Sequence, residues 1–126
     1  MSIKMYQCNS NSTTRKIRLF LQSYDIAFST VKICEDTFSL EDFYKVLELT
    51  ESGAYDLISD RSTVYKDMKK QGFDFDSLKL SELYTLIMEN PSLLKTPIVV
   101  DFPNDKLIIG NDMELLSKIV PKDLRR

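Results

Sequence analysis

Met5-Tyr6-Gln7-Cys8-Asn9-Ser10-Asn11-Ser12-Thr13-Thr14-Arg15-Lys16-Ile17-Arg18-Leu19-Phe20 reads as the end of a strand, a polar loop and the start of a basic helix. Working outward, Ile3–Gln7 suits a buried strand, and Ser12 or Thr13 offers a hydroxyl to cap the helix that follows. Ile17, Phe20, Leu21 and Tyr24 then recur at i, i+3, i+4 and i+7, the spacing of one buried helical face. Ile26–Ile33, with Phe28, Val31 and Ile33, suits a second strand. A strand–helix–strand unit of this length predicts parallel strands and a right-handed crossover. A strand-to-helix turn is also a good place for a reactive thiolate, because free amides and the helix dipole stabilise it. Asn11-Ser12-Thr13-Thr14 holds no sulfur, and the nearby Cys8 stands at the strand end. The site lacks its chemistry, which favours binding over catalysis.

Residues 35–91 change character. Ser39 and Asp42 have capping-box spacing, and Leu40, Phe43, Tyr44 and Leu47 form an apolar stripe behind them. Gly53 ends or bends the chain. Tyr55–Asp60 and Ser62–Lys70 are predicted as two short helices, with a turn at Gln71-Gly72-Phe73. Leu80, Leu83, Tyr84 and Ile87 make another stripe, closed by Asn90-Pro91. The strand signal returns at Pro97–Asp101 and at Lys106–Ile109, joined by the tight turn Phe102–Asp105, so these two should be antiparallel. Asn111 and Glu114 are spaced to open a last helix through Met113, Leu116 and Ile119, which Pro121 stops. The order predicts an α/β fold, a four-stranded mixed sheet with flanking helices. Residues 1–34 and 92–126 supply the core of one domain spanning 1–126, and 35–91 form a helical insertion.

The chain's 126 residues, 43% hydrophobic and 29% charged, fit one ordinary globular domain. No apolar run approaches the roughly 20 residues of a membrane span, and the N-terminus lacks a signal-peptide apolar core. The expectation is a cytoplasmic protein without membrane contact. The net charge of −2 hides a split: residues 35–91 carry thirteen acidic and six basic side chains, hence −7, and the remainder carries +5. The middle of the chain therefore does not suit a phosphate backbone, whose binding runs on cations. Its acidic face suits either a basic protein partner or plain solvation.

Two cysteines, Cys8 and Cys34, are too few for a disulfide scaffold. Cys8 is a displaced nucleophile or an incidental thiol. The chain has no histidine to act as its base, which favours the incidental thiol. A Cys8–Cys34 disulfide needs adjacent strand ends, and a reducing cytosol argues against its persistence. Arg15, Lys16 and Arg18 lie on the first helix, too few for a nucleic-acid signature. Asp74 and Asp76 fit a solvated loop better than a cation site, and neither a metal nor a cofactor is expected.

Three motifs, on an architecture of this order, resemble the ArsC/Spx family of thioredoxin-like proteins. The first is the turn followed by Arg15-Lys16, at the family's Cys-x-x-Cys-Arg-Lys position. The second is Leu49-Thr50-Glu51-Ser52-Gly53-Ala54-Tyr55-Asp56-Leu57-Ile58-Ser59-Asp60-Arg61-Ser62. The third is Asn90-Pro91-Ser92-Leu93-Leu94-Lys95-Thr96-Pro97-Ile98-Val99-Val100-Asp101. The second motif is closer to the Spx transcriptional regulators than to arsenate reductases.

The resemblance implies binding to the C-terminal domain of the RNA polymerase α subunit, in a thiol-stress response. Promoter DNA is then met only indirectly, through polymerase, and the protein is a monomer. It implies that Gly53 lies at the polymerase contact, with Glu48, Glu51 and Ser52 around it. It also implies a cis peptide at Pro97, and an anion-holding or regulatory role for Arg61, against a surface salt bridge to Asp60 or Asp56. Four departures stand out. The family's redox pair falls at Asn11 and Thr14, so no disulfide switch can form there. Thr96 and Glu48 occupy positions where the family often has arginine. Spx proteins also usually run longer at the C-terminus than Arg126. The expected function is thus a non-enzymatic Spx-like regulator without its usual redox switch. The alternatives are an arsenate reductase-like or glutaredoxin-like enzyme using Cys8, and a redox-inactive paralogue that competes for the same polymerase surface.

Overall fold

The computed structural model describes residues 3–8, 12–33 and 38–119. They form two compact units, one of residues 1–32 with 96–126 and one of residues 33–95.

The first unit holds the sheet. β1 (Ile3–Gln7), β2 (Ser29–Lys32), β3 (Ile98–Asp101) and β4 (Lys106–Ile109) run in the order β2-β1-β3-β4. β1 and β2 are parallel, with Gln7 opposite Lys32, while β1–β3 and β3–β4 are antiparallel. The mixed sheet follows from the connections. A twelve-residue helix, α1 (Ser12–Ser23), carries the chain back to a parallel β2, and a three-residue 3-10 turn at Phe102–Asn104 reverses it into β4. That turn closes through Asp105, whose φ of 52° lies in the left-handed region, and Asn104 donates to the buried Asp101 carboxylate at 2.8 Å.

Ile3 and Met5 of β1, Val99 of β3 and Ile108 of β4 form one face, and Ile17, Leu21, Ile26 and Leu116 cluster with them. Phe20, Tyr24 and Phe28 pack at its margin. Burying each of the larger aliphatic chains is worth about 1.5–3 kcal/mol. Ile98 and Val100 are buried as well, so the central β3 reads as a continuous apolar run rather than an alternating one. α5 is Met113–Ser117.

The second unit is helical: α2 (Leu40–Glu48), α3 (Thr63–Lys70) and α4 (Leu80–Glu89). Phe43 and Val46 of α2 and Leu83 and Ile87 of α4 are buried together with Phe38, Leu57, Leu93 and Leu94. The rings of Phe38, Phe43 and Tyr84 meet at 5.7–6.3 Å, and the Tyr84 hydroxyl donates to the Phe38 carbonyl at 2.6 Å. Ser39 and Ser62 cap α2 and α3 by accepting from the amides of Asp42 and Tyr65.

Several expectations need correction. Ser12 and Thr13 lie inside α1 rather than at its cap, and the capping position, 11, is outside the described residues. The second strand is only Ser29–Lys32, because Ile26 and Phe28 join the core from the loop before it. Tyr55–Asp60 is not a helix. A 3-10 turn spans Gly53–Asp56, after which Ile58 pairs with Leu94 in an isolated antiparallel bridge. Leu80, at the first position of α4, is 45% exposed rather than part of the buried stripe. Asp112, not Asn111, caps α5 by accepting from the Leu115 amide at 3.1 Å. The carboxylate one residue later is the acceptor that reaches. Pro121 lies outside the described residues.

Candidate functional site

The segment after α2 is built from its own backbone. α2 ends at Glu48, with the Thr50 hydroxyl donating to the Leu47 carbonyl at 2.7 Å. The chain then turns at Gly53, whose φ is 72°. A β-carbon placed on Gly53 meets nothing within 4 Å, so the fold uses this glycine for its dihedral and leaves the space above it open. No residue of Gly53–Asp56 is buried. What holds the turn is Asp56, whose Oδ2 accepts from the amides of Glu51 at 3.0 Å and Ser52 at 2.9 Å. Behind the turn, Leu57 and Ile58 are buried. The Leu57 carbonyl accepts from the Lys95 amide, and the Ser59 amide donates to the Leu93 carbonyl, both at 2.7 Å.

The surface so formed is acidic and carries aromatic rings. Glu41, Glu48, Glu51 and Ser52 are exposed, and Tyr55 is 61% exposed. A shallow groove of about 410 Å³ runs along α2, lined by Leu40, Glu41, Tyr44, Lys45 and Glu48. Lys45 is engaged with Glu41 at 3.4 Å, which leaves the groove's net charge negative. Glu48 sits at the helix C-terminus, where the dipole disfavours an anion. Local stability therefore gives no reason for that carboxylate.

Arg61 is exposed and forms no ion pair among the described residues. The salt bridge to Asp60 or Asp56 offered from sequence is not made, and Asp56 accepts from the Glu51 and Ser52 amides instead. Asp74 caps a 3-10 turn by accepting from the Asp76 amide. Among the described residues no group of three or more His, Cys, Asp or Glu is arranged to hold a metal ion.

At the degenerate turn, Asn11 lies outside the described residues, whereas Thr14 is fully buried in the first turn of α1. Arg18 donates from Nη2 to the buried Gln7 Oε1 at 2.9 Å, while Arg15 and Lys16 are exposed. The Thr96–Pro97 peptide bond is cis. Cys8 departs most from expectation: it is disulfide-bonded, so it is not an incidental free thiol. The register that sets Gln7 beside Lys32 puts the C-terminal ends of β1 and β2 next to each other, and the sequence reading set that geometry aside in favour of compartment. Cys34 lies outside the described residues.

The sheet order, the cis-proline before β3 and the helix leading from β1 define a thioredoxin-like fold. Solved structures agree. The chain is similar to an arsenate reductase from Vibrio cholerae, with 25% identity and a TM-score of 0.73 over 94% of this chain and 98% of that one. It also shares its fold with an arsenate reductase related protein from Brucella melitensis, with a TM-score of 0.61 at 17% identity over 94% and 93% of the two chains. The ArsC family model matches residues 6–119, and the chain belongs to that family. Among characterised proteins it is similar to the global transcriptional regulator Spx of Streptococcus mutans, 35% identical over 98% of this chain and 87% of that protein. The Spx of Staphylococcus aureus is 31% identical over 98% and 90%. No helix among the described residues is long and apolar enough to cross a membrane.

Proposed function

We propose that this chain is a transcriptional regulator of the Spx type. It binds the C-terminal domain of the RNA polymerase α subunit through the end of α2 and the turn at Gly53, and reaches promoter DNA through polymerase. The observation that carries the reading is the turn itself. Gly53 holds a left-handed dihedral with open space where a side chain would stand, and Glu48, Glu51 and Ser52 surround it, all exposed. A backbone without a side chain permits close approach by a partner, and an acidic rim steers a basic one. The identity to Spx regulators, 31–35% over nearly the whole chain, supports the same reading. Asn11 and Thr14 carry no thiol, so this regulator works without the family's usual redox pair. It acts in the cytoplasm, as a monomer.

The test is calorimetric titration of the protein with an RNA polymerase α C-terminal domain, beside the variant Gly53→Arg. Binding that the variant loses supports the reading and locates the interface. No binding by the parent protein at micromolar concentrations refutes it. A promoter assay then separates an activator from a competing paralogue, since activation by this chain alone excludes a pure competitor.

A second reading, a thiol oxidoreductase, rests on the likeness to the Vibrio cholerae arsenate reductase and on the disulfide at Cys8. Turnover with thioredoxin or glutathione that vanishes in Cys8→Ser supports it. No turnover with either reductant sinks it.

A further inference from the structure

Gly53–Asp56 forms a 3-10 turn with no fully buried residue, and a β-carbon on Gly53 would meet nothing within 4 Å. Ordering a short turn with little burial has an entropic cost that its hydrogen bonds have to offset. One carboxylate shapes its entry. Asp56 Oδ2 accepts both the Glu51 and the Ser52 amide, at 3.0 and 2.9 Å. Hydrogen bonds to a carboxylate are stronger than those to a neutral acceptor. The two amides stand directly before Gly53, so the bonds fix the approach to the left-handed residue. The 3-10 bond from the Leu57 amide to the Ala54 carbonyl fixes the exit.

We propose that Asp56 is a positioning residue for partner recognition. Its carboxylate presents the Gly53 backbone and the Tyr55 ring in one conformation, so that the partner does not have to order the turn on binding. The inference rests on the reading that this turn is the polymerase contact. It assigns to Asp56 a role distinct from those of Glu48, Glu51 and Ser52, which face outward. Pre-ordering of this kind raises affinity by removing an ordering cost that binding otherwise bears.

The experiment compares the parent protein, Asp56→Ala and Asp56→Asn. Affinity for the α C-terminal domain is read by calorimetry, and amide hydrogen exchange at Glu51 and Ser52 by nuclear magnetic resonance in the free protein. In Asp56→Ala, affinity should fall at least tenfold and both amides should lose protection, while the sheet amides keep theirs. Asp56→Asn keeps an acceptor oxygen and should restore much of both. Binding by Asp56→Ala equal to the parent overturns the inference and leaves the polymerase reading standing. So do Glu51 and Ser52 amides that exchange equally fast in the parent and in Asp56→Ala. No binding by the parent protein overturns the polymerase reading and this positioning role with it.

Discussion

Gly53 serves two separable ends, a dihedral and an open surface, and a pair of substitutions distinguishes them. Its φ is 72°, and a β-carbon there meets no atom within 4 Å. Alanine at this position therefore clashes with nothing in the protein and costs only the left-handed backbone penalty, about 1–2 kcal/mol. For a chain of this length that is roughly a 4–8 °C fall in melting temperature if the turn stays formed. Asparagine tolerates the left-handed region far better, so Gly53→Asn should lose less than Gly53→Ala. Affinity should follow a different order. If the partner's backbone sits against Gly53, any side chain there intrudes, and Asn and Ala should both weaken binding at least tenfold, about 1.4 kcal/mol. Gly72, with φ 84° and equally open space, supplies the control: Gly72→Ala carries the same strain without touching the proposed contact. Calorimetric titration and thermal melts on all four proteins read both quantities. Parent-like binding by Gly53→Asn refutes the close-approach argument and reduces Gly53 to a turn residue. An equal loss in Gly72→Ala shows that strain, not contact, drives the effect.

Other substitutions probe the framework and the surface. Tyr55→Ala should leave stability within about 0.5 kcal/mol, since the ring is 61% exposed. It should still weaken α-domain binding at least tenfold, the behaviour of an aromatic anchor, and unchanged affinity removes Tyr55 from the interface. Phe43→Ala removes a fully buried ring that meets Phe38 and Tyr84, and should cost about 3–5 kcal/mol in denaturant unfolding. A cost below about 1 kcal/mol contradicts the helical core described here. In protein purified without reductant, Cys8 should resist alkylation until a reductant is added, as read by mass spectrometry of the Cys8 peptide. Alkylation without reductant refutes the bonded state.

The sheet was legible because its signals are strong and local. Pro97-Ile98-Val99-Val100-Asp101 can hardly be other than a buried strand, and four residues between it and Lys106–Ile109 permit only a reversal. The face of α1 was legible from the spacing of Ile17 and Leu21, both fully buried. The segment Tyr55–Asp60 was misread as helix because its helix-forming residues compete with a carboxylate that finds backbone amides on its N-terminal side. A bridge from Ile58 to Leu94, thirty-six positions away, leaves no local trace at all. The site divides in the same way. Gly53 stood out as a break in a helical pattern, and only the family resemblance tied it to a partner. Asp56 left a faint mark, an Asp shortly after Glu51-Ser52-Gly53, with nothing to separate it from a solvated acid.

The start of α1 argues that scaffold and chemistry are separable in this fold. Thr14 stands where the resemblance puts the second cysteine of the redox pair, and it is fully buried. Threonine is close to cysteine in size and carries a hydroxyl that can be satisfied within a helix, so the substitution removes a thiol while keeping the side chain's place in the packing. Arg18 contributes from the next turn. Its guanidinium satisfies the buried Gln7 amide oxygen at 2.9 Å, tying α1 to the end of β1. Neither interaction involves a sulfur of the first turn. The start of α1 is therefore packed and tied to β1 without a thiol at position 14. The proposed contact lies in the other unit, at the turn held by Asp56, whose shaping bonds are local: Thr50 to Leu47, Glu51 and Ser52 to Asp56, and Leu57 to Ala54. The positions of the family's redox pair and the proposed contact at Gly53 thus fall in different units, and the bonds that shape the turn use no thiol.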